Sequence, residues 1–142
     1  MKVLIDTSIY VGAVRSAEER SRFQTTFFPL IPITYLSPVV AYELYVNARD
    51  RTTRRLVERF TEPMERTGRV ASPLFTDWIA AARIVSTIQE EDRAFKSKLP
   101  RLLNDILIAL AARRIGATLF THNAQDFRLI SRHLDYSFSV IE

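Results

Sequence analysis

Apolar and polar positions follow two different spacings along the chain, and together these predict an alternation of strands and helices. Short apolar runs bounded by turn-forming residues predict strands at residues 3–5, 33–36, 117–121 and 137–141. Apolar residues repeating every three or four positions predict helices at residues 7–14, 17–27, 38–47, 50–66, 74–91, 100–115 and 125–134. Strands reached through helices predict an α/β fold: a mainly parallel sheet of four or five strands, covered on both faces, in one domain spanning residues 1–142.

The first predicted strand ends on an acid. Val3, Leu4 and Ile5 are consecutive apolar residues, which indicates a strand buried on both faces. Asp6 follows directly, and in open parallel sheets the ligand crevice lies at the carboxyl ends of the strands. We therefore expect the Asp6 carboxylate to face a bound group there.

Two more acids interrupt apolar helix faces. Glu43 lies on the predicted helix 38–47, and Asp105 lies on the predicted helix 100–115. The apolar residues that share these faces are Val39, Val40, Val46, Ile108, Ala109 and Ala112. Buried carboxylates are usually paired, protonated or bound to metal, so the alternatives are arginine partners or a shared cation.

One shared divalent cation would explain why three acids occupy positions expected to be buried, because a cation between clustered carboxylates turns their mutual repulsion into attraction. Ligand sets made only of oxygen select hard ions, which favours Mg²⁺ or Mn²⁺. Such an ion can polarise a phosphoryl oxygen and activate a water for attack on a phosphodiester. The three acids therefore point to a metal-dependent nuclease.

Two features outside the acids give expectations about packing. Trp78 is expected to anchor the helix at 74–91 in the core. Pro63 is expected to kink or divide the helix at 50–66 near its end.

Composition narrows the class of protein. The chain has 142 residues, 47% of them hydrophobic, enough for a sizeable core, and it has no cysteine for a disulfide or a catalytic thiol. It contains no apolar run approaching about 18 residues, and it opens directly on a strand. We expect a cytoplasmic protein without membrane insertion.

The basic residues are almost all arginine. The net charge is +4, with 17 Arg against 3 Lys, and guanidinium groups bind phosphate in a forked geometry. A stripe of Arg51, Arg55 and Arg59 is a candidate RNA-binding surface. The alternatives are a compositional bias of the source organism and a solvated helix face balanced by nearby glutamates.

Four short motifs, in order along the whole chain, resemble the PIN domain and most closely the VapC-type toxins of bacterial and archaeal toxin-antitoxin pairs. The motifs are Asp6-Thr7-Ser8, Glu43, Asn104-Asp105-Ile106-Leu107-Ile108-Ala109 and Thr121-His122-Asn123-Ala124-Gln125-Asp126-Phe127. The resemblance implies a three-layer α/β/α fold and an endoribonuclease using Mg²⁺ or Mn²⁺ to hydrolyse RNA (tRNA, rRNA or mRNA). It also implies a homodimer, and a cognate antitoxin that blocks the site and forms a heterotetramer or larger assembly with the toxin.

The resemblance also assigns residues. Asp6, Glu43 and Asp105 match the family's acidic ligand positions, and Asn123 occupies a fourth catalytic position where many members carry an acid. An amide brings no charge, which leaves one metal or two open. Ser8 and Thr121 are expected to orient the carboxylates, while Asp126 is a structural residue or a substitute for the missing acid.

Other functions fit the residues less well. An aspartyl-phosphate phosphatase needs a second Asp where this chain has Ser8, and dinucleotide binding needs a glycine-rich turn after the first strand. His122 is more simply an exposed or structural histidine than a general base. The alternative that stays open is a catalytically weak PIN-fold module that binds RNA or protein.

Overall fold

Four parallel strands form the centre of the fold in a computed structural model, which describes the backbone of residues 1–142 and the side chains of 1–93 and 97–142. The strands are β1 (Lys2–Ile5), β2 (Thr34–Tyr35), β3 (Ala117–Thr121) and β4 (Ser137–Val140). They stand in the order β2-β1-β3-β4, and each neighbouring pair is parallel. The predicted parallel sheet is confirmed.

The strand β1 is a central strand buried on both faces. Val3 and Leu4 are fully buried and Ile5 is nearly so, because helices cover both faces of a parallel sheet. The strand pairs with β2 on one side and β3 on the other. Ile5 stands opposite Phe120 in that pairing. This register brings Asp6, the next residue, beside the carboxyl end of β3.

Helices make up most of the rest of the chain. The α-helices are α1 (Thr7–Arg15), α2 (Ala17–Phe27), α3 (Pro38–Asn47), α4 (Arg51–Arg66), α5 (Phe75–Glu91), α6 (Leu99–Ile115) and α7 (Ala124–Ser131). Phe28–Ile33 and Arg93–Lys98 form 3-10 turns. Among the described residues, no helix is both long and apolar enough to cross a bilayer.

The order of the strands places the helices in two layers. The chain moves from β1 to β2 in one direction across the sheet, and from β2 to β3 and on to β4 in the other. Because parallel crossovers are right-handed, connections running in opposite directions lie on opposite faces. The helices α1 and α2 therefore cover one face, while α6 and α7, which pack together, cover the other, as expected for an α/β/α domain.

Local signals fix the helix ends close to where the sequence predicts them. Ser37 caps α3 by accepting a hydrogen bond from the Val39 amide at 3.1 Å. Asp50 caps α4 by accepting from the Thr53 amide at 2.8 Å. Gly116 ends α6 in the left-handed conformation, with φ 70°.

The helix α4 does not divide at Pro63 but continues to Arg66. The packing expectation for Trp78 was wrong. Trp78 does not anchor the core: it is 49% exposed, because α5 turns Ala81, Ile84 and Ile88 inward instead. The apolar residues at the start of α5 that stay exposed are Leu74, Phe75, Trp78 and Ile79.

Several arginines hold the fold together and are not open to a ligand. Their guanidinium groups donate to backbone carbonyls of other segments: Arg20 to Ala13 and Val14, Arg54 to Ala48 and Arg49, Arg69 to Thr34 and Ile31, and Arg114 to Ser72. The arginine excess in the sequence is therefore in part a structural feature.

Candidate active site

Asp6 lies at the carboxyl edge of the sheet, where β1 ends and α1 begins. Its side chain is 3% exposed. Its Oδ2 atom accepts hydrogen bonds from the Ser8 hydroxyl at 2.8 Å and from the Thr121 hydroxyl at 2.7 Å. These two donors come from α1 and β3, so the fold itself fixes the orientation of this carboxylate.

Glu43 reaches the same edge from α3. The Thr7 hydroxyl donates to Glu43 Oε1 at 2.7 Å, which ties α3 to the start of α1. Glu43 is half-buried, and Val46, expected on the same buried stripe, is 53% exposed. Glu43 thus stands at the margin of the helix face that packs inward, with its carboxylate at the pocket.

Asp105 is the least compensated of the three acids. It is 7% exposed on α6, on a face whose Ile108, Ala109 and Ala112 are all buried. Within the described part of the chain, its buried Oδ2 atom has no hydrogen-bond partner. Burial raises the pKa of Asp105 to about 8, and the negative charges of Asp6, Asp126 and Glu43 add to the rise. A carboxylate held this way needs a proton or a cation.

One pocket of about 310 Å³ brings the three acids together. Its lining residues are Asp6, Thr7, Ser8, Glu43, Arg101, Asp105, His122 and Asn123. Across the described side chains, no three Asp, Glu, His or Cys groups are arranged to hold a metal ion as they stand. The oxygen-only donors and the orphaned Asp105 oxygen still fit a hard divalent cation, which would have to draw at least one carboxylate inward.

The side chain of Asn123 is occupied by a structural role. Its Oδ1 accepts from the Asp126 amide at 3.2 Å, and its Nδ2 donates to Asp126 Oδ2 at 2.9 Å. The Asn123 amide in turn donates to the Thr121 hydroxyl at 2.9 Å. Asn123 therefore caps α7 and borders the pocket, and Asp126 is held beside it.

His122 links the pocket to the end of the chain. Its amide donates to the Ser8 hydroxyl at 3.1 Å, and its Nδ1 lies 2.5 Å from the Ile141 carbonyl. These contacts hold the segment after β4 against the start of α1. They suit the structural histidine expected from the sequence.

The predicted stripe of Arg51, Arg55 and Arg59 on α4 is exposed and does not border the acidic pocket. The pocket is bordered instead by Arg101, which sequence reasoning missed. Its position four residues before Asp105 on one helix was a readable signal, since that spacing places both side chains on one face.

Known proteins agree with this architecture. The PIN domain family model matches residues 3–132. No curated protein matches the chain.

Similar solved structures share the fold over nearly the whole chain. One of them is VapBC2 from Rickettsia felis bound to a promoter DNA fragment. It aligns at 16% identity over 100% of both chains, with a TM-score of 0.65. DNA-bound VapBC from Salmonella typhimurium aligns at 19% identity over 99% of this chain and 98% of that one, with a TM-score of 0.67. VapBC-1 from nontypeable Haemophilus influenzae aligns at 21% identity over 99% of this chain and 98% of that one, with a TM-score of 0.63. With its family match over residues 3–132, the chain belongs to the PIN domain family.

Proposed function

We propose that the protein is a metal-dependent endoribonuclease, the toxin of a type II toxin-antitoxin pair, which hydrolyses phosphodiester bonds in RNA. Residues 1–142 would act as one nuclease domain. The observation that carries the proposal is the buried, unpartnered oxygen of Asp105 in a pocket shared with Asp6 and Glu43.

The acidic residues would hold Mg²⁺ or Mn²⁺. When bound, such an ion supplies Lewis-acid activation of water and of the phosphoryl oxygen. Asp6 and Asp105 bring buried negative charge to the pocket, and Glu43 contributes a third carboxylate at its rim. Without a counter-ion this charge has to be partly cancelled by protons, as the raised pKa of Asp105 shows.

The neighbouring hydroxyl groups would keep Asp6 in position. Ser8 and Thr121 both donate to the same Asp6 oxygen, which leaves the other oxygen free of those two donors. Such supporting hydrogen bonds fix the orientation of a metal ligand before the metal binds. Asn123 and Asp126 would not contact the metal. They would fix the start of α7, next to the pocket.

The test is RNA cleavage by the purified protein with Mg²⁺, with Mg²⁺ plus EDTA, and with Asp105→Asn. We expect cleavage in the first case alone. A matched control is Asp135→Asn, the same substitution at an exposed position outside the pocket, which should cleave like the wild type. Equal, EDTA-insensitive cleavage by wild type and Asp105→Asn would mean contamination and would reject the enzyme. RNA binding without cleavage would favour the weak PIN-fold binding module.

We also propose that an antitoxin protein blocks this site. An apolar pocket of about 430 Å³ adjoins the acidic pocket through His122, which borders both. Its apolar walls include Ile9, Phe23, Phe27 and Ile141. The similar solved structures are VapBC assemblies, so an antitoxin segment is the occupant we propose. An arginine of that segment would pair with the acids, and a complex that leaves the acids uncovered would refute this.

We propose a homodimer as the oligomeric state without antitoxin. The exposed apolar residues at the start of α5, Phe75 and Trp78 among them, form the type of surface that marks a protein interface. Light scattering after size exclusion should give twice the mass of the chain. Phe75→Ser with Trp78→Ser should give the monomer mass if this surface is the interface, and an unchanged dimer would place the interface elsewhere.

A further inference from the structure

A second, smaller pocket of about 150 Å³ lies directly beside the acidic pocket. Arg101 and Asn123 border both pockets, so the two spaces are continuous along one surface. The remaining walls of the small pocket include Lys98, Gln125 and Asp126. A strand of RNA lying across the acidic pocket would have to pass this point or the opposite rim.

The small pocket is positively charged. Among its described wall residues, Lys98 and Arg101 supply two positive charges and Asp126 one negative charge, which leaves a net charge of +1. The Asp126 carboxylate accepts a hydrogen bond from the Asn123 amide group at 2.9 Å and lies in the first turn of α7, where the helix dipole favours a negative charge. The charge of Asp126 is thus partly satisfied by its own helix.

Arg101 is available to a ligand. Its side chain is exposed, and within the described part of the chain neither a hydrogen bond nor a salt bridge holds its guanidinium group. This differs from Arg20, Arg54, Arg69 and Arg114, whose guanidinium groups donate to the backbone. The positive charge of Arg101 acts on Asp105, where it opposes the rise of the carboxyl pKa. A guanidinium group whose N–H donors make no hydrogen bond can bind a phosphate with two parallel hydrogen bonds.

We propose that this small pocket binds a backbone phosphate of the RNA next to the phosphate that is cleaved, with Arg101 as the principal contact and Lys98 as the second. This inference rests on the proposed function of the acidic pocket. The ligand is a phosphate and not a base, because two cationic side chains border the pocket and none of its described wall residues carries an aromatic ring on which a base would stack. Arg101 would place the strand so that the neighbouring phosphate reaches the carboxylates.

The test measures binding of a fluorescent single-stranded RNA 12-mer of mixed sequence by anisotropy, at several salt concentrations and in EDTA. All variants carry Asp105→Asn so that no cleavage occurs. Adding Arg101→Gln should weaken binding about tenfold and reduce the salt slope by about 0.7 to 1, the loss of one phosphate contact. Adding Arg101→Lys should keep most of the salt slope and weaken binding less. Lysine keeps the positive charge but cannot make the two parallel hydrogen bonds of a guanidinium group.

The matched control is Arg113→Gln, which removes an exposed arginine from the opposite end of the same helix. It should change affinity less than twofold. If Arg101→Gln and Arg113→Gln have the same effect, or if the RNA does not bind at all, the phosphate site is wrong. A purely structural role of Arg101 would instead lower the melting temperature of Arg101→Gln and leave its salt slope unchanged, which also overturns the proposal.

Failure of the phosphate site can be told from failure of the nuclease. If wild type cleaves RNA with Mg²⁺ but Arg101→Gln does not change the salt slope of RNA binding, the proposed nuclease activity is supported and the phosphate site is rejected. If wild type does not cleave RNA but the salt slope of RNA binding still depends on Arg101, the phosphate site is supported and the proposed nuclease activity is rejected.

Discussion

Replacing Asp105 by asparagine should stabilise the metal-free protein while it abolishes cleavage. Asp105 is 7% exposed, and its Oδ2 atom has no hydrogen-bond partner among the described residues. Asparagine has nearly the same shape and no charge. The substitution therefore removes the free-energy cost of a buried carboxylate and keeps the packing around it.

The magnitude follows from the two pKa values. The pKa of Asp105 rises from 3.8 to about 8 on folding. Between these values the folded state binds more protons than the unfolded state, so the stability contributed by this residue falls as the pH rises. At about 1.4 kcal/mol per pKa unit, the full cost above pH 8 is about 5 to 6 kcal/mol. Because the pocket is open to water and an amide also needs partners, we expect Asp105→Asn to recover about 2 to 4 kcal/mol.

The assay is urea unfolding followed by circular dichroism, in EDTA, at about pH 4.5, 6, 7.5 and 8.5. The difference in unfolding free energy between Asp105→Asn and wild type should be smallest at pH 4.5 and should increase up to about pH 8. Asp135→Asn, at an exposed position, should track the wild type at every pH. Added Mn²⁺ should stabilise wild type and leave Asp105→Asn unchanged.

Two results would refute the reasoning. One is an Asp105→Asn variant no more stable than wild type at pH 8.5, because the buried charge would then carry no cost. The other is a stability gain that stays constant with pH, because the gain would then come from packing and not from the charge.

Three further substitutions each test one local feature of the structure. Thr121→Val removes the 2.7 Å hydrogen bond to Asp6 and should lower kcat/KM for RNA by about ten- to a hundredfold. Asp77→Ala removes the acidic partner of the part-buried Arg114, 3.1 Å away, and leaves that guanidinium group only its hydrogen bond to the Ser72 carbonyl. The same substitution removes the acceptor for the Leu74 amide, and urea unfolding should show a loss of about 2 to 3 kcal/mol. Gly116→Ala puts a Cβ on a residue with φ 70° and should cost about 1 kcal/mol by the same assay.

Each of these has a control. Thr25→Val, at an exposed position on α2, should leave kcat/KM unchanged, and equal losses at both threonines would remove the special role of Thr121. An Asp77→Ala protein as stable as wild type would show that the ion pair with Arg114 contributes nothing. Gly116→Asn should cost less than Gly116→Ala, since asparagine tolerates the left-handed conformation, and the reverse order would count against backbone strain.

The sequence predicted the parts of the fold that depend on neighbouring residues. The buried strand ending at Asp6 follows from a run of apolar residues, and the start of α3 follows from a serine cap before a proline. The buried face around Asp105 follows from the three and four spacing on one helix. All of these are local patterns, and the structure keeps them.

The errors arose where a pattern allowed two answers. The helix α5 has apolar residues on two faces, and periodicity alone does not say which face packs, so Trp78 was placed in the core although it lies outside. The spacing on α6 places Arg101 on the same face as Asp105, but the small pocket that Arg101 borders is formed by α6 together with α7, two elements far apart in the sequence. The hydrogen bond from Thr7 to Glu43 joins residues 36 positions apart, which no local pattern encodes.

The most direct test of the central claim is to measure Mn²⁺ binding and RNA cleavage in one titration. Electron paramagnetic resonance gives the bound Mn²⁺, and the rate of cleavage of a labelled RNA is followed at the same Mn²⁺ concentrations. If the acids of the pocket hold the catalytic ion, binding and rate will reach half-saturation together, and Asp105→Asn will lose both while Asp135→Asn keeps both. Cleavage that does not change with Mn²⁺, or that survives in Asp105→Asn, would contradict the account.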